Sequence, residues 1–253
     1  MKFVRYQING QVSYGILEEN EIKTIQGSIF GHYETTGASL SLDDVRLLTP
    51  VEPTKIVCVG LNYKDHIAEI NANPPEFPSH FMKPSSAIIG PGDAIIYPKI
   101  AKRVDYEGEI AVVIKDKIKD VSEAEALDHV LGYTCFNDVT ERNLSKAQGQ
   151  LTRSKGFDTF ASFGPCIATD LDPTNLTVRT FLNGKKVQEG YTGNMTFSAA
   201  FLVHYLSQCM TFSPGDIIST GTPLGVSPMV PGDVVEVSIN GIGTLTNPVV
   251  PAP

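Results

Sequence analysis

The sequence is poor in cysteine, and its cysteines are badly spaced for metal or redox chemistry. The 253 residues include Cys58, Cys135, Cys166 and Cys209, and no two of these form a C-x-x-C pair. This pattern excludes the common zinc spacings and the thioredoxin-type motif. We therefore predict reduced thiols, most of them in the core, in a cytoplasmic protein.

Clustered positive charge and long apolar runs are missing as well. Asp and Glu outnumber Lys and Arg by 28 to 20, the formal net charge is −8, and the basic residues are scattered along the chain. Phosphate contacts need clustered Lys and Arg, so we predict no nucleic-acid partner. No apolar run approaches the length of a membrane span, so we predict no membrane association.

What the sequence does contain is typical of a globular protein with a sizeable core, since 42% of its residues are hydrophobic. Short strand-like segments separated by turn residues dominate residues 1–50, and "LTPVEPTK" provides a proline-containing linker near residue 50. We predict a small N-terminal β domain over residues 1–50 and a larger domain over residues 51–253.

Strand-like segments outnumber helical ones in the larger domain. Helical periodicity is clear only in "SEAEALDHV" and "SAAFLVHYLSQCM", and "KDHIAEI" forms a short helix-like piece. The Asn-Gly pair in "FLNGKKV" predicts a hairpin turn, and the final "NPVVPAP" is predicted to be a loose tail. The expected fold class is mostly β with some α (α+β), built around a long, rolled mixed sheet.

Three carboxylates precede an apolar run in "DYEGEIAVVI". Asp105, Glu107 and Glu109 alternate with uncharged residues, so all three side chains would point to one face of a strand. An acidic face turned towards solvent is the plainer interpretation. The alternative is a metal site, because Asp138 ends another predicted strand and, with Glu107 and Glu109, would offer the oxygen ligands that Mg²⁺ or Mn²⁺ prefers.

A histidine and a glutamate lie three residues apart in "KDHIAEI". His66 and Glu69 share one face if this segment is helical. A carboxylate that fixes the tautomer of an imidazole prepares it to act as a general base. A His–Glu pair on an exposed helix surface is the more common arrangement and remains the alternative.

Two further segments place polar side chains beside predicted strands. Lys155 is expected in a largely buried loop, where it would bind a substrate carboxylate or carbonyl, unless it is simply solvated. The Gly-Thr-Pro loop of "STGTPLGV" would present backbone N–H groups and the Thr222 hydroxyl to an anion, unless it only ends a strand.

Taken together, seven segments resemble the fumarylacetoacetate hydrolase family from about residue 51 to the end of the chain. In order, they are "GLNYKDHIAE", "FMKPSSAIIGPGD", "DYEGEIAVVI", "GYTCFNDVTERN", "KGFDTFASFGP", "NGKKVQ" and "LSQCMTFSPGDIISTGTPLGV". The resemblance implies a rolled, mixed β fold with a deep metal-containing pocket, usually in a homodimer. Residues 1–50 resemble, more loosely, the variable N-terminal piece of bacterial members.

The resemblance also implies roles for individual residues, and makes residues 51–253 the catalytic domain. The positions that bind Mg²⁺ or Mn²⁺ in the family are matched by Glu107, Glu109 and Asp138. The catalytic positions are matched by His66, Glu69 and Lys155. The positions that contact substrate are matched by Arg142, Lys155 and Thr222.

The implied reaction is metal-dependent hydrolysis of a C–C bond in acylpyruvate-type 2,4-dioxo acids. A divalent ion would stabilise the pyruvate enolate that leaves, and a general base would activate water. Decarboxylation of oxaloacetate and isomerisation of 2-hydroxyhepta-2,4-diene-1,7-dioate stay open, because the fold does not choose among these reactions. A non-catalytic protein that binds small diacids is a further alternative, which the complete set of matched residues disfavours.

Overall fold

The structure is a computed structural model that describes residues 1–148 and 150–253. Strands contain 46% of its residues and helices 16%, so the predicted mostly-β class is confirmed. None of the helices in the described part of the chain has the length and apolar character that crossing a bilayer requires.

The first fifty residues form an antiparallel meander. Its strands pair in chain order and are β1 (Lys2–Ile8), β2 (Gln11–Glu18), β3 (Glu21–Gly27) and β4 (Tyr33–Ser41). The other edge of β1 pairs with the short β5 (Arg46–Leu47) and with a strand of the larger domain. The meander is thus continuous with the main sheet, and the division into two domains at residue 50 stays a prediction.

The main sheet has twelve strands within the described residues, including the five above. The path continues from β1 through β14 (Ala161–Ala168), β12 (Val130–Asp138), β11 (Gly108–Ile114), β17 (Ile217–Ser219), β6 (Ile56–Gly60) and β7 (Ser79–Lys83), with β8 (Ile88–Ile89) beside β14. The β17–β6 and β14–β8 pairs are parallel and the other pairs are antiparallel, which makes the sheet mixed, as predicted.

Two smaller sheets complete the fold. One contains β13 (Thr140–Glu141), β10 (Val104–Tyr106) and β18 (Ser227–Met229). The other contains β16 (Lys185–Tyr191), β15 (Thr177–Leu182), β19 (Val234–Ile239), β20 (Gly243–Pro251) and β9 (Ile95–Tyr97). Asn183 and Gly184, with φ of 52° and 76°, form the predicted hairpin turn between β15 and β16.

The predicted loose tail is wrong, because β20 continues to Pro251 and pairs in parallel with β9. The predicted helix in "SEAEALDHV" is also wrong, since this segment contains only a 3-10 turn at Ala126–His129. Ala126 is buried whereas Leu127 is exposed, so the segment offers no apolar face for a longer helix to bury.

Four α-helices lie in the described residues: α1 (Lys64–Glu69), α2 (Arg142–Gln148), α3 (Leu151–Lys155) and α4 (Ala199–Cys209). The α4 helix confirms the prediction from "SAAFLVHYLSQCM". Ser198 caps it by accepting a hydrogen bond from the N–H of Phe201, and Leu202, Val203 and Leu206 pack into the core.

Strand β11 lies between two hydrophobic clusters, and this sandwiching explains its unbroken apolar run. Ile110, Val112 and Ile114 belong to the cluster that also contains α4, whereas Ala111 and Val113 belong to the cluster on the other face. Alternation along the strand therefore directs Glu109 to the same face as Ala111 and Val113. The candidate site lies on that face, at the start of β11.

Candidate active site

The segment "DYEGEIAVVI" is not the single strand that its alternation predicts. Asp105 lies in β10, Glu109 lies in β11, and Glu107 lies between the two strands, where its N–H donates to Asn137 Oδ1 at 3.0 Å. Its carbonyl in turn accepts from the N–H of Asp138 at 2.9 Å. Asp105, Glu107 and Glu109 are 0%, 6% and 1% exposed, so an acidic face turned towards solvent is excluded.

Three carboxylates converge in this region. Strands β11 and β12 are antiparallel neighbours, and this pairing places Asp138 beside the start of β11. One carboxylate oxygen from each of Glu107, Glu109 and Asp138 lies within 4.8 Å of the others, and all three residues are buried. The structure therefore brings together the three residues that the sequence predicts as metal ligands.

Positive side chains of the same chain balance this negative charge. Lys155 Nζ donates to Glu107 Oε2 at 2.7 Å and to Asp138 Oδ2 at 2.6 Å. Arg142 donates to the other oxygen of Glu107. Lys155 is the last residue of α3 rather than part of the predicted loop, and it is 5% exposed, so it is not a solvated lysine.

Lys83 is a buried cation that sequence reasoning missed. Its Nζ lies 2.6 Å from Asp138 Oδ1, but its hydrogen bonds go to the carbonyls of Val139 and Phe160. Asp138 Oδ1 thus has a positive charge beside it but no hydrogen bond from any of the described residues. The available signal was the lysine in the quoted segment "FMKPSSAIIGPGD", which ends β7 directly before a proline.

Asp105 belongs to the same network, although not to the carboxylate cluster. It accepts hydrogen bonds from Arg103 Nε at 2.7 Å, from Arg103 Nη2 at 3.1 Å and from Arg142 Nε at 2.8 Å. Opposite charges therefore alternate through a continuous series of ion pairs: Arg103, Asp105, Arg142, Glu107, Lys155, Asp138 and Lys83.

The surroundings shift the pKa values of Glu107 and Glu109 in opposite directions. Burial by itself would raise the pKa of Glu107, but the charges and hydrogen bonds of Lys155 and Arg142 lower it to about 2. Burial and the nearby charge of Asp138 raise the pKa of Glu109 well above its ordinary value. The hydroxyl of Ser219 and the N–H of Gly221 both donate to Glu109 Oε2.

The α1 helix carries His66 and Glu69 on one face, as predicted. His66 Nδ1 lies 3.0 Å from Glu69 Oε2, and the His66 side chain is only 13% exposed. The N–H of Gly225 donates to both oxygens of Glu69, at 3.1 and 3.3 Å. Gly225 has a φ of +98°, and a Cβ there would lie 2.4 Å from the carbonyl oxygen of Val187, so this position requires glycine.

The loop that follows β17 contacts anions, but these anions are the protein's own carboxylates. Gly221 donates its N–H to Glu109, and Gly225 donates to Glu69. The Thr222 hydroxyl donates to the carbonyl of Gly108 at 2.9 Å. Thr222 lines the cavity, but its hydroxyl hydrogen is already in use, and its contact with substrate stays a prediction.

A cavity of about 210 Å³ connects these groups. Six of the predicted site residues line it: His66, Glu107, Glu109, Arg142, Lys155 and Thr222. Glu69 and Asp138 do not line the cavity, but Glu69 contacts His66 and Asp138 contacts Lys155. The cavity is thus lined by a histidine, by two of the three clustered carboxylates, and by the lysine and arginine that pair with them.

The donor set fits a hard divalent cation. Its ligand atoms are all carboxylate oxygens, and Asp138 Oδ1 is a buried acceptor without a hydrogen bond. Burial and the charge of Asp138 raise the pKa of Glu109 and so disfavour its ionised form, which a bound cation would stabilise. Mg²⁺ and Mn²⁺ are the ions that such oxygen ligands suit.

Comparison with known proteins gives consistent family matches. The family described as fumarylacetoacetate (FAA) hydrolase C-terminal matches residues 55–250, and the family described as Rv2993c-like, N-terminal matches residues 1–50. The structure of 2-hydroxyhepta-2,4-diene-1,7-dioate isomerase from Mycobacterium marinum is 44% identical, with a TM-score of 0.93 over 99% of this chain and 98% of that one.

Two other relatives have different activities in their names. Oxaloacetate tautomerase fahd2, mitochondrial, from Xenopus laevis is 42% identical over 83% of this chain and 70% of its own length. Maleylpyruvate hydrolase from Sphingobium sp. SYK-6, solved with manganese(II) and pyruvate, is 28% identical, with a TM-score of 0.84 over all of both chains.

These matches agree with the sequence motifs and with the rolled mixed sheet around the carboxylate cluster. The matched C-terminal family covers most of the chain, and the similar structures extend over its whole length. The chain therefore belongs to the fumarylacetoacetate hydrolase family.

Proposed function

We propose that this chain is a divalent-metal-dependent hydrolase that cleaves a C–C bond in acylpyruvate-type 2,4-dioxo acids. The supporting observation is that His66, held by Glu69, lines the same cavity as Glu107, Glu109 and Lys155. A base, metal-binding carboxylates and fixed cations are the groups that this reaction requires.

We infer that Glu107, Glu109 and Asp138 hold Mg²⁺ or Mn²⁺. Such an ion, when bound, supplies Lewis-acid stabilisation of negative charge on a substrate oxygen. The manganese(II) and pyruvate in the related maleylpyruvate hydrolase support this assignment, as does the all-oxygen donor set of this chain.

The side chains of this protein then have distinct tasks. Because Nδ1 of His66 is paired with Glu69, Nε2 is the atom that takes a proton from water. The hydroxide forms a bond to the substrate carbonyl beyond the pyruvoyl group, and the C–C bond between them breaks. Lys155 and Arg142 stabilise the negative charge at the pyruvoyl end. His66 then returns the proton to the carbon atom that the broken bond leaves on the pyruvate enolate. The products are pyruvate and a carboxylic acid.

Proton transfer without hydrolysis is the second candidate function. The relatives named as an isomerase and as a tautomerase are 44% and 42% identical to this chain, whereas a relative named as a fumarylacetoacetate hydrolase is 35% identical and the maleylpyruvate hydrolase is 28% identical. In that reaction His66 would move a proton on a 2-oxo acid and no water would attack. Decarboxylation of oxaloacetate would likewise need no activated water.

A substrate panel tests the proposal. Acetylpyruvate, oxaloacetate and 2-hydroxyhepta-2,4-diene-1,7-dioate are each supplied with Mg²⁺ or Mn²⁺. Release of pyruvate and the absorbance of the tautomers are measured for each substrate. We expect pyruvate from acetylpyruvate and a loss of about 10²–10⁴-fold in His66→Ala, because general-base help is typically of that size. Isomerisation or tautomerisation alone would favour the second candidate. Absence of turnover on every substrate would favour a binding protein and contradict both.

A further inference from the structure

A buried glutamine, Gln188, lies against the main chain that joins two of the predicted metal ligands. Gln188 belongs to β16, ends the segment "NGKKVQ" and is paired across the hairpin with Thr180 of β15. Its Oε1 accepts hydrogen bonds from the N–H of Gly108 at 3.0 Å and from the hydroxyl of Thr180 at 2.8 Å. The hairpin thus brings a buried amide to the residue that lies between Glu107 and Glu109.

The other end of the same amide binds the loop after β17. Gln188 Nε2 donates to the hydroxyl of Thr222 and to the carbonyl of Pro223, both at 3.0 Å. The Thr222 hydroxyl in turn donates to the carbonyl of Gly108 at 2.9 Å. Three hydrogen bonds therefore close a ring through Gly108, Gln188 and Thr222, which we call the Gly108 ring. The amide fits the ring in one orientation only, since its oxygen faces an N–H and its nitrogen faces a carbonyl.

The Gly108 ring holds the two peptide groups that connect Gly108 to the glutamates. The N–H of Gly108 belongs to the peptide group shared with Glu107, whose carbonyl accepts from the N–H of Asp138 at 2.9 Å. The carbonyl of Gly108 belongs to the peptide group shared with Glu109, and the side chain of Glu109 accepts from the N–H of Gly221 in the same loop as the threonine. The ring therefore fixes the main chain between two of the three carboxylates and borders the third.

The residue inside the ring has to be glycine, and this makes the ring necessary. A Cβ at position 108 would lie 2.0 Å from Thr180 Oγ1 and 3.3 Å from Gln188 Oε1, so no side chain fits there. Glycine has more conformational freedom than any other residue. The relative positions of Glu107 and Glu109 thus depend on hydrogen bonds that other parts of the chain supply.

We propose that Gln188 is a positioning residue, which holds Glu107 and Glu109 in the geometry that binds a divalent ion. The cavity of about 210 Å³, which we call the central cavity, is lined neither by Gln188 nor by Gly108. Gln188 therefore acts through the main chain and does not touch metal or substrate. This inference rests on the proposed function, because that function assigns Glu107, Glu109 and Asp138 as the metal ligands.

The test measures the binding of Mn²⁺ to the full chain by calorimetry, without substrate. Gln188→Met keeps the size of the side chain but loses the amide, and it should lower the affinity about 10–100-fold, as is typical when a partner that orients metal ligands is lost. Thr222→Val should lower it similarly, and Thr222→Ser should restore most of it because the hydroxyl is kept. The double variant of Gln188→Met and Thr222→Val should lose little more than either single variant, because each change already opens the same ring.

Asn247→Leu is the matched control. Asn247 is 1% exposed, its Nδ2 donates to the carbonyls of Gly90 and Asp93 at 2.8 Å, and its Oδ1 accepts from Ser162. It is thus another buried amide that connects separate segments, but it does not line the central cavity. The control should lower the free energy of unfolding, measured by urea titration, and keep the wild-type affinity for Mn²⁺.

Two results would overturn the inference about Gln188. These are wild-type affinity in Gln188→Met, or an equal loss of affinity in Asn247→Leu. A wild-type protein that binds no Mn²⁺ would instead overturn the metal assignment in the proposed function, and this inference with it. If Gln188→Met does not fold, Gln188→Asn decides the question: it is one methylene shorter, cannot keep its contacts with both Gly108 and Thr222, and should also lose affinity.

Discussion

Lys83 and Lys155 both contact Asp138, but their surroundings differ. Lys83 also donates to two main-chain carbonyls, which cannot move independently of the sheet. Within the residues that the structure describes, the hydrogen bonds of Lys155 go to the carboxylates of Glu107 and Asp138. Lys155 also lines the central cavity, and its Nζ lies 5.0 Å from the centre of the Phe81 ring. We therefore infer that Lys83 is a structural cation, and we expect Lys155 to exchange a carboxylate for a substrate oxygen.

Replacing Lys83 by Met should destabilise the fold strongly. The change leaves Asp138 and two carbonyls buried without their cation, and breaking a buried pair typically costs about 3–5 kcal/mol. The free energy of unfolding, measured by urea titration, should fall by that amount. Lys186→Met is the control, because Lys186 is 48% exposed and pairs with Glu189 on the surface. Its loss should cost less than about 1 kcal/mol. Similar losses in the two variants would contradict a structural role for Lys83.

Affinity for Mn²⁺ should fall as the pH is lowered, and should begin to do so above the usual titration range of glutamate. Burial and Asp138 raise the pKa of Glu109, so its proton is lost only at higher pH, and only the deprotonated carboxylate binds a cation. Calorimetry between about pH 5 and 8 measures this dependence. Glu109→Gln, with no proton to release at this position, should bind weakly and show a flatter profile. A wild-type affinity independent of pH would contradict the assignment of Glu109 as a ligand.

Among the helices and strands, features that depend on neighbours in sequence were predicted correctly more often than features that depend on long-range contacts. The periodicity of α4 and the Asn183-Gly184 turn depend on neighbours in sequence, and both predictions are confirmed. The β20–β9 pairing joins distant segments, so the loose-tail prediction failed. The motifs identified the carboxylates, but the roles inferred for Lys83 and Gln188 depend on contacts that the spacing does not encode.

The break between β10 and β11, within the candidate site, also depends on a contact that the sequence pattern does not reveal. Alternation correctly grouped Glu107 with Glu109, yet it also included Asp105, whose partners are two arginines. At Glu107 the side chain of Asn137 accepts the N–H that a strand partner would otherwise accept, while the Glu107 carbonyl keeps a main-chain hydrogen bond from the N–H of Asp138. Such side-chain competition for the backbone is not visible in the pattern of the strand alone.

The segment from α1 to β7 is predicted to act as a lid. Helix α1 has only about one and a half turns and is followed by the irregular residues 70–78. Glu69 connects α1 to the loop after β17 by accepting a hydrogen bond from Gly225. Amide hydrogen exchange over residues 64–80 should be fast without ligand and slower with Mn²⁺ and oxalate, because closure orders the segment. The amides of β11 serve as the internal control. Equal exchange over residues 64–80 in both states would contradict a lid.

At the scale of the whole molecule, the homodimer implied by the family resemblance stays a prediction. The chain has a mass of 27.4 kDa, and light scattering in solution should give roughly twice that value. A monomer at every concentration would contradict the prediction.

The division of the candidate site between two kinds of structure has an evolutionary consequence. Glu109 and Asp138 lie in paired core strands and Glu107 directly precedes β11, whereas His66 and Glu69 belong to one short helix, in which Glu69 accepts a hydrogen bond from Gly225. If His66 and Glu69 carry the proposed proton chemistry, mutations in α1 would change it without altering the residues of the charged cluster. Exchange of residues 61–78 between relatives would transfer reaction type while the ancestral sheet was kept.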